Sequence, residues 1–264
     1  MRRYKIVLLL VLIGILLGTA AYAYAKRQEI ERYFFERRGK IPGVKVEPLP
    51  VPDAQRWQIL RKDLERWRIF YAEKYRKAGS TTARQAVIMD ARNLLEHNLP
   101  ELMRCWLGTG WDFNGTAKEP GAGKIACGYF VATVMEGAGF HIKRSPLAQQ
   151  ASQNILRTFL PQSDLHLRVG VPYKTYRAEI SRGKPGIYIV GLDTHVGFIV
   201  VPNENGKDYR FIHSSGAKPW CVVEENADQA KVLQNSNYRV IGNLTASDAL
   251  ITKWLKGEDF PTFR

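Results

Sequence analysis

The spacing of apolar and polar positions changes along the chain, and each change marks a different kind of element. From Ile6 to Ala25 there is no charged residue, and Ile6 to Leu17 is aliphatic apart from Gly14. At about 1.5 Å per helical residue such a stretch spans roughly 30 Å, the thickness of a bilayer's hydrocarbon core. From Asp53 the apolar spacing becomes three and four: Trp57, Leu60, Leu64, Trp67 and Tyr71 share one helical face, and Asp53 stands where a cap is needed. A second helix is predicted over 82–97 with Ala86, Met89, Leu94 and Leu95 inward, and Pro100 interrupts before a shorter piece ending near Leu107. After a glycine-rich loop, 108–123, a helix is predicted over 126–138. Its stripe is Phe130, Val131, Val134 and Ala138, closed by Gly137 and Gly139. Residues 145–160 read as helical again.

Beyond Gly183 the spacing falls toward two. Strands are predicted over 186–190, 195–201, 209–213, 220–223 and 238–242, with Gly, Asn and Pro in the turns, and a last helix over 247–256. Helices first and a run of strands afterwards imply an α+β fold, helices packed on an antiparallel sheet. The segments are then 1–25 as a membrane anchor or signal peptide, 26–52 as a juxtamembrane stretch and proline-rich linker, 53–107 as a helical segment, and 108–264 as the main body.

The amino terminus allows two readings. Arg2, Arg3 and Lys5 precede the apolar stretch and favour export of the chain beyond it. Ala23-Tyr24-Ala25 fits a small-x-small cleavage site, which implies secretion after signal removal. Lys26 and Arg27 come at once after it, and 28–38 continues in helical character, which implies an uncleaved single-pass anchor in the cell membrane. Both place the body outside the cytoplasm. The net charge is +14, from 39 Lys and Arg against 25 Asp and Glu. That excess favours anionic surfaces, but no arginine-rich tract, zinc-finger spacing or RNA-binding aromatic signature points to nucleic acid. Three cysteines occur: Cys105, Cys127 and Cys221. Cys105 and Cys221 either pair after export or remain small buried thiols.

Chemistry concentrates at three positions. Cys127 opens a predicted helix after the glycine-rich loop, where unsatisfied amides favour a thiolate. His195 opens the strand THVGFIVV, and His213 ends the next, YRFIHSSG, so neighbouring antiparallel strands can set the two rings side by side. One histidine then takes the thiol proton, and the other fixes its orientation and tautomer. Asn114-Gly115-Thr116 and Asn243-Leu244-Thr245 match a glycosylation pattern common by chance. His97, His141 and His166 read as surface residues, and Trp57, Trp67 and Trp106 as packing.

The stretch 107–140, LGTGWDFNGTAKEPGAGKIACGYFVATVMEGAGF, resembles the core motif of the NlpC/P60 family of papain-like peptidases. Gly108-Thr109-Gly110-Trp111 matches the opening of its G-T-P-Y loop, and Ala126-Cys127-Gly128-Tyr129-Phe130-Val131 its D-C-S-G-F-V segment. Ser145 to Ser152 is similar to the segment after that helix, and Lys184-Pro185-Gly186-Ile187-Tyr188 stands where the family has G-D-L-V-F. His195-Val196-Gly197-Phe198-Ile199 and Phe211-Ile212-His213-Ser214-Ser215 are similar to H-V-G-I-Y and F-I-H-A-S. The resemblance covers 107–216.

It implies a papain-like fold and a cysteine hydrolase of peptidoglycan stem peptides. Cys127 would be nucleophile, His195 base and His213 the orienting member, with a thioester intermediate and neither metal nor organic cofactor. Trp111, Asp112 and Gly128 fall on the substrate side. Three departures bear on specificity: Ala126 replaces the family's acid, Gly128 its serine and Trp111 its tyrosine. Asp112 and Asp193 are candidates for a replacement acid, and equally for loop residues bonding local backbone. Amidase or acyltransferase chemistry on another substrate, and an inactive exported binding protein, are the alternatives.

Overall fold

The structure is a computed structural model describing residues 26, 49–203 and 208–264. The expected membrane or signal segment, 1–25, and nearly all of the linker lie outside the described residues. Among the described residues no helix is long and apolar enough to cross a membrane.

Two 24-residue helices begin the described body: α1 (Ala54–Lys77) and α2 (Thr81–Arg104). Asp53 caps the first as expected, accepting from the Arg56 amide at 2.8 Å. Trp57 and Leu64 are buried, and Leu60 and Tyr71 pack against the core, but Trp67 is 48% exposed and lies beside Phe70 and Tyr71 on the surface. In α2 the inward face is Val87, Ile88, Ala91, Leu95, Leu99 and Leu102. Of the expected stripe, Leu95 is buried and Leu94 packs against the core, but Ala86 and Met89 are exposed and Val87, Ile88 and Ala91 face inward instead. Pro100 does not end this helix. It lies buried inside it, and the cost of its missing N–H, about 3 kcal/mol, is offset by burial of Leu99, Leu102 and Met103 on the same turns.

Next come α3 (Cys127–Gly137), α4 (Arg144–Ala148), α5 (Ser152–Phe159) and a short 3-10 turn (Gln162–Asp164). The remainder is β1 (His166–Val169), α6 (Tyr173–Ser181), β2 (Gly186–Leu192), β3 (Val196–Val201), β4 (Arg210–Ser214), β5 (Val222–Asn226), α7 (Lys231–Asn235), β6 (Tyr238–Asn243) and α8 (Asp248–Leu255). The fold is α+β, with six antiparallel strands in the order β1-β6-β2-β3-β4-β5. Strand β1 and helices α6 and α7 are absent from the sequence reading. Strand β1 is a mostly exposed edge strand of four residues, too short for the alternation of Leu165, Leu167 and Val169 with His166 and Arg168 to stand out, and α7 is barely more than one turn.

Alternate residues of the central strands face two separate cores. Phe198, Ile212 and Val222 join Phe130 and the helical segment in the larger one. Ile199, Val201, Tyr209 and Phe211 join Tyr176 and Leu233 in the smaller. The helical segment 53–107 shares the larger core with the body. Trp57 meets Trp106 edge-on at 5.4 Å, Trp106 meets Phe130 at 6.4 Å, and Phe130 meets Phe198 at 6.0 Å. This chain of edge-to-face contacts fixes α3, the helix that carries Cys127, between α1 and the sheet.

Candidate active site

Cys127 is the first residue of α3. The backbone just ahead of it is held on three sides: the Ile125 amide donates to Gly110 O at 2.9 Å, the Ala126 amide to Gly115 O at 2.9 Å, and Ser214 Oγ to Ile125 O at 2.7 Å. The last of these ties the nucleophile segment directly to the end of β4. The cap residue Ala126 has no side chain to offer, so the helix mouth has no side-chain cap. The amides of the first helical turn have no intrahelical acceptor and remain available to an anion.

Cys127 and His195 line one cleft together with Gly128, Ala148, Gln150, Ser152 and Asp193. Two other surface grooves among the described residues contain no cysteine. His195 is partly exposed and stands one residue ahead of β3, where its carbonyl accepts from the Leu192 amide at 2.8 Å. Among the described residues no hydrogen bond joins Cys127 to His195. The sulfur is instead approached by the backbone N–H groups of Val196 and Gly128.

His213 is fully buried in β4, stacked on Phe211 with ring centroids 4.1 Å apart. Its Nδ1 lies 2.7 Å from His195 Nε2, so the side-by-side placement expected from the two strands is present. Gly197 permits this. A Cβ there would come within 2.8 Å of both His213 Cβ and the Phe211 ring, so only glycine allows the two rings to cross β3 beside His195. The second nitrogen of His213, Nε2, lies 3.1 Å from Glu225 Oε2 on β5. Glu225 was invisible to sequence reasoning. The signal available was its place in V-V-E-E-N, where the register puts Val223 opposite His213 and Glu225 opposite Phe211, on the same face of the sheet as His213.

Burial disfavours charge on the cysteine and on both histidines. Burial pushes the Cys127 thiol up, against the pull of the backbone amides of Val196, Gly128 and Cys127 itself. Burial pushes His195 well below its usual value, with His213 adding to the effect, and takes His213 down to about 3. Burial also pushes Glu225 up to about 7, with Lys231 opposing. The helix mouth expected to favour a thiolate thus meets an opposing effect: desolvation of the sulfur outweighs the backbone N–H groups that approach it and favours the thiol.

The remaining candidates fall apart by position. Gly128 lines the cleft, and a Cβ at that position would stand 2.2 Å from Ala148 O. Serine therefore cannot be accommodated there without separating α3 from α4. Trp111 lies against Gly216, and neither it nor Asp112 is among the residues lining the cleft. Asp112 accepts from the Asn114 amide at 3.0 Å, and so serves its own loop. Asp193 borders the cleft but is committed to the Asn237 and Tyr238 amides, at 2.8 and 3.1 Å, and to Ser236, whose hydroxyl holds its carboxyl below the ordinary range. Cys105 and Cys221 are buried free thiols, each pushed up to about 11 by burial. His97, His141 and His166 are exposed. Among the described residues no group of three or more His, Cys, Asp or Glu side chains could hold a metal ion.

Compared with family models, with curated proteins and with solved structures, the chain finds no match. What the fold and site define by themselves is an α+β protein with a helix-mouth cysteine and a histidine along one cleft, the histidine backed by a second, buried histidine and a partly buried carboxyl group.

Proposed function

We propose that this chain is a cysteine hydrolase of the papain-like NlpC/P60 kind, cleaving amide bonds in the stem peptides of peptidoglycan. It would act outside the cytoplasm, anchored in the cell membrane by 1–25 or secreted after removal of that segment. The observation that carries the reading is the 2.7 Å contact between His195 and His213, on a histidine that shares its cleft with a cysteine at a helix N-terminus. Two histidines whose charged forms are disfavoured by burial cost folding free energy, which makes sense where the pair handles protons.

In the proposed reaction the Cys127 sulfur attacks the scissile carbonyl carbon while its proton passes to His195 Nδ1, the nitrogen His213 leaves open. The backbone amides of Cys127 and Gly128 receive the oxyanion of the tetrahedral intermediate. His195 returns the proton to the leaving amine as the C–N bond breaks, which leaves a thioester on Cys127. Water then gives a proton to His195, attacks the thioester and releases the carboxylate and the thiol. Contacts in resting sites commonly tighten on substrate binding, which fits the open Cys127–His195 approach.

The test is digestion of purified peptidoglycan by the full chain, with mass spectrometry of the products. Muropeptides with new peptide termini are expected. Cys127→Ala should lower their release by at least about a thousandfold, as removal of a nucleophile does. Undiminished release by that variant would overturn the reading. A second reading, acyl transfer or amide hydrolysis on another substrate, is favoured by Gly128. Contact with Ala148 leaves no room for the side chain through which the family recognises the stem peptide's free amine. New termini outside the stem peptide would select it.

A further inference from the structure

The two histidines and Glu225 form a chain with two contacts, His195 Nε2 to His213 Nδ1 and His213 Nε2 to Glu225 Oε2. Each neutral imidazole carries one N–H, and each contact needs one proton, so only two arrangements of the neutral rings satisfy both. With Glu225 ionised, the carboxylate accepts from His213 Nε2–H, and His213 Nδ1 accepts from His195 Nε2–H. His195 Nδ1 is then bare. With Glu225 protonated on Oε2, the oxygen facing His213, every hydrogen reverses: the carboxyl donates to His213 Nε2, His213 Nδ1–H donates to His195 Nε2, and His195 Nδ1 carries the proton.

We propose that Glu225 is the positioning residue of this site, its ionised carboxylate dictating through His213 the one tautomer of His195 that can accept a proton at Nδ1. The tautomer order stands on the geometry alone; its consequence for catalysis rests on the hydrolase reading. The surroundings favour a switch located on the carboxyl group. His213 is fully buried and His195 partly so, and desolvation disfavours an imidazolium in either, so an added proton is favoured on Glu225. The groups facing Glu225 are His213 and the stacked Phe211 from β4 and the charged Lys231 from α7, whose pull is outweighed by burial. Its neighbour Glu224 bonds Arg104 and Arg210 instead. Glu225 changes state near neutral pH, and the histidines respond as tautomers, not as cations.

The test is long-range proton–nitrogen NMR on the full chain labelled with 15N-histidine, with His195→Gln and His213→Gln variants to assign the two rings. At pH 8.5 both rings should carry hydrogen on Nε2, and at pH 5.5 both on Nδ1. Glu225→Gln, which has no titrating group, should hold one pattern at both pH values. If catalysis is present, kcat/KM should fall about tenfold per pH unit below the switch in the unmodified chain, and this acid limb should vanish in Glu225→Gln. An Nδ1 hydrogen on His195 at pH 8.5, an imidazolium signal from either ring at pH 5.5, or a switch that survives in Glu225→Gln would overturn the proposal. A tautomer switch in a chain that releases no muropeptides would leave it standing and remove the hydrolase reading.

Discussion

Glu224 and Glu225 are adjacent in β5, and the sheet sends them to opposite faces with opposite consequences. Glu224 meets two cations: Arg104 grips it through two hydrogen bonds of 2.9 Å, and Arg210 approaches at 3.4 Å. Burial alone would raise its pKa, but the two guanidiniums more than reverse this and hold the carboxyl below its ordinary range. Glu225 meets a neutral imidazole and a phenyl ring, and burial pushes it up to about 7. A carboxylate paired with cations is fixed in one state over the physiological range and serves stability. A carboxylate paired with neutral groups is left near the pH at which it changes state and can serve chemistry.

The sharpest break of this contrast is in stability as a function of pH. For Glu225 the folded state binds its proton more tightly than the unfolded state. Stability therefore falls as pH rises from about 4.5 to about 7 and stays low above that. A rise of that size corresponds to roughly 3 kcal/mol. Glu225→Gln should thus stabilise the protein at pH 8.5 by about 2–3 kcal/mol while abolishing the acid limb of activity, as measured by denaturant unfolding and by kcat/KM against pH. For Glu224 the sign is reversed: its contribution is present above the unfolded value and is lost as pH falls through the lowered folded one. Glu224→Gln should destabilise at pH 7 by about 1–2 kcal/mol and leave catalysis unchanged, and the deficit should shrink on acidification. Arg210→Gln should do least, at most about 0.5 kcal/mol, because the contact is long and the side chain is 42% exposed. A loss of activity in Glu224→Gln equal to that in Glu225→Gln would erase the distinction between the two faces.

The same strand shows where sequence reading reached and where it stopped. Cys127, His195 and His213 were legible because their flanking patterns are distinctive: a glycine-rich loop into a helix, and two apolar strands bearing a histidine at one end. The crossing of β3 by the two rings depends on Gly197, whose role is a matter of close approach that spacing alone does not reveal. Glu225 was illegible because V-V-E-E-N lacks clean alternation of apolar and polar residues, so β5 was expected to end at 223, before both carboxylates. The first half of the α2 stripe was not legible because Ala86, Val87, Ile88 and Met89 are four consecutive apolar residues, so spacing alone does not say which of them face inward. Trp111 and Asp112 were legible as loop residues but not as lying away from the cleft, since that depends on how the loop packs beside Trp220 and Gly216. The desolvation that raises the thiol's pKa was not legible because it is a property of the folded surroundings, whereas a helix N-terminus is visible locally.

If the Cys127 sulfur and the His195–His213 pair work as one unit across their shared cleft, loss of the base must show at the sulfur even without substrate. The quantity to measure is the rate of alkylation of Cys127 by iodoacetamide at pH 7.5, followed by peptide mass spectrometry in the full chain and in His195→Gln. The buried Cys105 and Cys221 serve as internal references. Removing the assisting imidazole should slow Cys127 by at least about tenfold and leave the other two cysteines unchanged. An equal rate at Cys127 in both proteins would mean that the imidazole does not act on the sulfur, and the proposed unit would not exist.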